Sequence, residues 1–124
     1  MCKAAAAQKK AQGPFPYPEF NPTRPDWSKY PGVAAALVKT PVIFRIWLHN
    51  MQALGEPSTG GAAWNDLLAA IRSHVRIATE QQAAAAHRDS DTFTKDYDEG
   101  GTTQDKLMQA ATTAGVPGCA SVDR

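Results

Sequence analysis

WNDLLAAIRSHVRIATEQQAAAAHR, residues 64–88, is the stretch whose reading decides how this chain folds. It contains no Gly or Pro. Leu67, Leu68, Ile71, Val75 and Ala78 recur at three- and four-residue intervals, which places them on one face of a helix. Asn65 or Asp66 suits the start of that helix and Arg88 its end, where the charges complement the backbone dipole. At a rise of 1.5 Å per residue the segment spans about 37 Å, longer than most globular helices. No other run in the sequence is comparable, so the remaining elements are expected to pack on this one.

Upstream of it, Thr40 and Pro41 read as the N-cap and first residue of a second helix, with Phe44, Trp47, Leu48, Met51 and Leu54 on its apolar stripe. Gly55 and Pro57 stop that helix, and residues 56–61 form a flexible connection of a length suited to two antiparallel neighbours. Downstream, residues 89–101 are polar and acidic and read as a solvated loop. Phe93 and Tyr97, four residues apart, pin one helical turn of it to the domain. Thr102 followed by Asp105 resembles a capping box and opens a last short helix through Leu107, Met108 and Ala111, ended by Gly115 and Pro117. Alternating β-branched residues are missing throughout, so no strand is expected.

The N-terminal quarter has a different character. Residues 1–12 are rich in Ala, Lys and Gln and form a short basic helix only if docked. Residues 13–31, GPFPYPEFNPTRPDWSKYP, hold six of the nine prolines and five of the ten aromatic rings: Phe15, Tyr17, Phe20, Trp27 and Tyr30. Proline fixes φ and favours extended backbone, so this segment reads as an arm that presents rings at close spacing. An arm cannot bury its own rings. They must lie on this domain or on a partner, and those five are the candidate binding residues. The division expected is an arm over 1–31, a small antiparallel helical domain over 32–115 and a tail over 116–124, all-α throughout.

Composition narrows the function classes. The 124 residues suit one small domain, and the net charge of +1 gives no global case for nucleic acid or a membrane surface. Charge is uneven: residues 1–50 carry seven Lys or Arg against Glu19 and Asp26, while residues 89–101 carry five acids against Lys95. Lys3, Lys9 and Lys10 lie near rings, yet those rings are spaced by prolines and fit no nucleic-acid module, so nucleic acid is not an expected partner. The most apolar run, residues 33–48, is broken by Lys39, Pro41 and Arg45 and is too short to cross a membrane; no signal peptide is evident. Cys2 and Cys119 form neither a CxxC nor a zinc spacing. Unpaired thiols in a reducing compartment are the default, with a disulfide between the termini left open. The expected location is intracellular or within a particle.

No metal or other cofactor is expected. His49, His74 and His87 are spaced 25 and 13 residues apart without HxxxH or HExxH. His74, beside the apolar stripe, reads as a half-buried residue with its bonds satisfied. Setting Asp96, Asp98 and Gly101 at positions one, three and six of a calcium loop leaves Leu107 where the bidentate Glu belongs.

One family resemblance is carried by Lys39–Gly55, by NDLLAAIR at 65–72, by Ala83–His87 and by the GTTQDKLM segment at 101–108. These resemble carboxymuconolactone decarboxylase and alkylhydroperoxidase-like proteins, which are helical and oligomeric and carry CxxCxxxH or a Glu/His variant on a long helix. The resemblance places His87 at the motif histidine, Glu80 at the first cysteine position and Ala83 at the second. It implies an enzyme with Glu80 and His87 as acid and base, and the missing cysteines remove peroxidase chemistry from what it implies. The residues themselves favour another reading, a non-catalytic helical accessory or structural subunit. Such a subunit would fasten onto a protein partner, a virion or multisubunit complex, or onto further copies of itself, through the arm.

Overall fold

Five helices and the turns between them make up a computed structural model that describes residues 2–13, 15–55, 61–116, 118 and 119. The helices are α1 (Lys3–Gln12), α2 (Val33–Ala36), α3 (Lys39–Leu54), α4 (Gly61–Ala86) and α5 (Ser90–Thr113). Among the described residues there is no strand, and the chain is all-α. The connection at 56–60, Pro117 and the tail from 120 onward lie outside the described residues.

The long helix is α4. It begins three residues earlier than the sequence reading placed it and ends two earlier, at Ala86. Leu67 and Ile71 are fully buried and Leu68 and Ala78 nearly so, which confirms the face read from the spacing.

Its main partner is the largest departure from the sequence reading. The stretch 89–101, taken as a solvated loop, and the short helix expected after Thr102 are one continuous helix of 24 residues. Asp89 caps it, accepting from the Thr92 backbone N–H at 3.1 Å and from the Thr92 hydroxyl at 2.7 Å. Its buried positions are Phe93, Asp96, Thr103, Leu107, Ala110 and Ala111, with Gly100 against Ile77. They alternate at three and four residues, the period of a packed helix seam. The period was hidden because Asp, Gly and Thr occupy core-facing positions. Two consecutive glycines in a helix interior each cost about 1 kcal/mol relative to Ala, a loss that packing on α4 offsets.

The turn from α4 to α5 takes three residues. The Asp89 N–H donates to the Ala84 carbonyl and the Arg88 N–H to the Ala85 carbonyl, a Schellman ending with Arg88 at φ 54° in the left-handed position. So tight a turn makes the two helices antiparallel. Arg76 with Glu99 and Glu80 with Asp96 are cross-helix neighbours whose numbering runs in opposite directions, with Ile77 against Gly100 beside them. The far end of α5 closes with the same pattern on Gly115, as the sequence indicates.

Helix α3 lies along α4, with Arg45 donating to the Thr79 hydroxyl at 3.1 Å and Phe44 meeting His74 edge-on at 5.6 Å. It starts at Lys39, so Thr40 is not its cap: the Thr40 hydroxyl instead accepts from Gln12 Nε2 at 3.0 Å. Of the stripe read from sequence, Phe44, Trp47 and Met51 are buried and Leu54 is exposed.

Cys2, just before α1, and Cys119, beyond α5, meet. Cys2 and Cys119 form a disulfide, which corrects the default of unpaired thiols and settles the alternative left open by the sequence. Trp47 Nε1–H donates to Cys2 Sγ at 3.1 Å, and Ala5 is buried beneath α1 as that helix docks on α3. The two cysteines belong to one core cluster with Trp47, Met51, Trp64, Leu67, Ile71 and Leu107.

Candidate functional site

Residues 15–31 are laid down as a succession of turns rather than as an extended arm. Tyr17 to Phe20, Asn21 to Arg24 and Asp26 to Tyr30 each close with a backbone hydrogen bond of 3.0–3.1 Å. The Asn21 and Asp26 side chains support two of these turns by accepting from the backbone N–H groups of Thr23 and Lys29. The turns fold the segment back against α2, the end of α4 and the start of α5.

All five arm rings are brought together there. Phe20 is buried and meets Trp27, Tyr30 and Phe93 at centroid distances of 5.6–5.7 Å, while Trp27 meets Phe93 edge-on at 5.2 Å. Trp27 Nε1–H donates to the Ser90 hydroxyl at 2.9 Å, and the Thr94 hydroxyl donates to the Pro22 carbonyl at 3.0 Å. Tyr17 closes over Gly32 so nearly that a Cβ there would fall 2.0 Å from its hydroxyl oxygen. Phe15 touches Tyr17 and Phe20 but remains 40% exposed. With Val33, Ala84, Ala85 and Phe93 the arm builds a second core.

Between this strap and the bundle lies a cleft of about 720 Å³. Phe15, Tyr17 and Pro18 form one wall, Leu37 and Tyr97 the other, and Lys9 and Lys39 add positive charge. Tyr97 is 50% exposed.

A second cavity of about 490 Å³ adjoins it, with Thr40, Gln81 and Tyr97 common to both. It is bounded by α3, α4 and α5 and lined by Phe44, His74, Asp96 and Gln104 among others. Among the described residues no Lys or Arg lines it, and Asp98 adds a second acid. Gly101 also lines it, and a Cβ on Gly101 would meet open space.

Asp96 is the unusual group. It is fully buried, and its carboxyl faces that of Glu80 rather than a fixed N–H or O–H donor among the described residues. Burial first, and then the adjacent Glu80 carboxyl, raise its pKa to about 6. Two neighbouring carboxyls without a donor between them favour holding a proton on one, and Asp96 is the more enclosed. Glu80 has a further partner in Arg76 at 3.4 Å, and Arg76 also bonds Glu99.

The two residues singled out by the family resemblance are not brought to one site. Glu80 is half-exposed toward Arg76, and His87 is exposed just beyond the end of α4. Neither lines either cavity. Sequence reasoning passed over Asp96 by testing it only as a loop ligand. The signal that finds it is its place three residues after Phe93 and four before Gly100 on a helix. Among the described residues no cluster of three or more His, Cys, Asp or Glu side chains is arranged to hold a metal ion. Among the described residues no helix is long and apolar enough to cross a membrane. No protein family, curated protein or solved structure matches the chain.

Proposed function

We propose that this chain is a non-catalytic helical accessory subunit that docks onto a larger protein assembly through the face its N-terminal arm builds. The observation that supports this is the cleft of about 720 Å³ between arm and bundle. Its proline and aromatic wall is held by the second core, so the cleft is formed before a partner arrives and little ordering entropy is lost on docking. Phe15 and Tyr97 are the ring surfaces left uncovered there. The buried members, Phe20 above all, act by shaping the cleft rather than by entering a partner. Lys9 and Lys39 favour a partner segment that is acidic as well as apolar.

The disulfide bears on location. A bond joining cysteines 117 residues apart in sequence persists in an oxidising setting, which fits a particle or an exported assembly better than a reducing cell interior.

The test is affinity purification of the tagged chain from its own source, with Phe15→Ser and Tyr97→Ser as the paired variant. The wild-type chain should retain a constant, stoichiometric protein partner, and the variant should lose it while keeping its circular dichroism. Retention by the variant, or elution of the wild-type chain as a lone monomer, would remove the reading.

A further inference from the structure

We propose that the cleft between the arm and the bundle binds a small amphipathic organic anion, an aryl or alkyl carboxylate, with its head at Lys9 and Lys39 and its body between the ring-lined walls. The inference shares this cleft with the docking reading but does not rest on it, because a free small molecule can fill the space whether or not an assembly partner exists.

The first support is the sign of the lining. Among the described residues the cleft carries Lys9 and Lys39 and no Asp or Glu. Neither lysine is ion-paired among those residues, where the ion pairs are those of Arg76. Helices α1 and α3 bring the two to one junction. Gln12, the last residue of α1, donates to the Thr40 hydroxyl at 3.0 Å. Lys9 lies one turn before Gln12 on the same face, and Lys39 adjoins Thr40 at the start of α3. All four residues line the cleft. Two like charges at one edge, with no acid to offset them, attract an anion and repel a cation.

The second support is the surface beside those charges. Phe15 and Tyr97 are large hydrophobic residues left exposed, and both line this cleft, with Pro18 and Leu37 extending the apolar walls. Lys9 is half-buried, and a lysine stem lies readily along apolar surface while its ammonium stays in water. A pair of solvated lysines holds an inorganic anion only weakly. Ring and alkyl surface next to them selects an anion that also has an apolar body.

The third support is that the site is formed in advance and has the right size. Tyr17 is seated so closely on Gly32 that a Cβ there would fall 2.0 Å from its hydroxyl oxygen, and its ring meets Phe15 and Tyr30 at 5.8 Å. That wall need not be ordered when a ligand enters. A volume of about 720 Å³ is within the range of small-molecule sites, and an inorganic anion would leave most of it empty.

The experiment is an NMR titration of the full oxidised chain at neutral pH with phenylacetate and with hexanoate. The alcohol and the amine of each carbon skeleton, phenethyl alcohol with phenethylamine and hexanol with hexylamine, keep the body and change the head. At least one carboxylate should saturably shift the Phe15, Leu37 and Tyr97 resonances with a Kd below ~1 mM. Its matching alcohol and amine should bind at least about tenfold more weakly. Added salt should weaken the carboxylate and leave the alcohol unchanged, a comparison that needs no variant. Lys9→Gln combined with Lys39→Gln should lower carboxylate affinity at least about tenfold, while the Trp64 and Leu107 resonances in the other core stay in place. The proposal is overturned if neither carboxylate saturates at the cleft, if the matching alcohol or amine binds as tightly, or if salt does not weaken the carboxylate. A failed titration leaves the docking reading standing, and failure to retain a protein partner leaves this one standing.

Discussion

At the end of the α4–α5 hairpin where Cys2 and Cys119 are joined, the helices themselves supply the bulk: Trp64 and Leu67 on α4 and Leu107 on α5, with Trp47 and Met51 from α3. At the opposite end the same two helices offer each other only Ala84, Ala85 and Phe93. There the arm brings Phe20, Trp27 and Tyr30, and the second core exists because of it. One end is closed covalently, the other by rings on a backbone stiffened by proline. Between them lies the seam at His74, Asp96, Gly100 and Thr103, where bulky apolar residues give way to polar and small ones. The contrast shows how an alanine-rich helix becomes part of a packed domain. Its small face creates a vacancy that a segment of low helical propensity fills.

The comparison can be broken most severely at the covalent end. A link between residues 117 apart removes up to about 5 kcal/mol of chain entropy from the unfolded state. Cys2→Ala with Cys119→Ala should therefore lower the unfolding free energy by about 2–5 kcal/mol in a denaturant titration. A thiol reductant should do the same to the wild-type chain and nothing to the variant. A loss under about half a kcal/mol would mean that docking of α1 on α3, not the bond, holds the termini.

At the arm end, Phe93 is the one large helical side chain, and it contacts both Phe20 and Trp27. Phe93→Ala should cost about 3–5 kcal/mol, because the rings above it cannot collapse onto Ala84 and Ala85. Phe20→Ala should cost nearly as much, and the double variant should cost less than the sum, since each single change already opens the same cavity. Additive losses in a double-mutant cycle would show that the arm and α5 are stabilised separately.

How much of this was legible in the sequence follows the same division. The α4 face was plain because Leu67, Leu68 and Ile71 carry the helical period in bulky apolar letters. The first half of α5 was missed because its core-facing positions include Asp96 and Gly100, and a period written in polar and small residues does not register as hydrophobic. The five rings of the arm were found, but covalent spacing does not say whose surface covers them; the partner alanines on α4 carry no signal of their own. The disulfide was left open because two lone cysteines near opposite ends carry no spacing motif, and nothing local says that their segments approach. The candidate site was invisible for a related reason. Asp96 and His74 are far apart in sequence and meet only because α5 continues through the region read as a loop.

The seam between the two ends should reveal itself through pH. Asp96 has a folded-state pKa raised to about 6 against an ordinary value of 3.8, so the folded chain holds the proton more tightly than the unfolded one. Stability from this group is therefore full below the ordinary value and falls as pH rises toward about 6, by roughly 2–3 kcal/mol in all. Asp96→Asn should flatten that decline and make the chain more stable than wild type near neutral pH. Asp89 acts in a separate window. Its pKa is lowered by hydrogen bonds from the Thr92 side chain and backbone, so its contribution is present above the ordinary carboxyl value and lost only as pH falls below it. Parallel pH profiles for wild type and Asp96→Asn across that upper window would show that the buried acid is not the source of the slope.

The smallest effect sharpens the comparison at a single backbone angle. Both ends of the hairpin use the same helix ending, the α5 end with Gly115 at φ 79° and the α4 end with Arg88 at φ 54°. Glycine adopts that conformation freely, whereas a residue with a Cβ is strained there by about 1–2 kcal/mol. Arg88 is exposed and its side chain makes no hydrogen bond among the described contacts that would compensate. Arg88→Gly removes the Cβ clash but gives the unfolded chain more freedom, which takes back part of the gain. The net expectation is a stabilisation of about 0.5–1 kcal/mol, seen as a higher denaturant midpoint with an unchanged slope. The converse change, Gly115→Ala, should destabilise by about 1 kcal/mol, although a Cβ there meets no atom within 4 Å. If both substitutions were neutral, the two endings would be equally relaxed, and the turn into α5 would owe its geometry to the Asp89 cap alone.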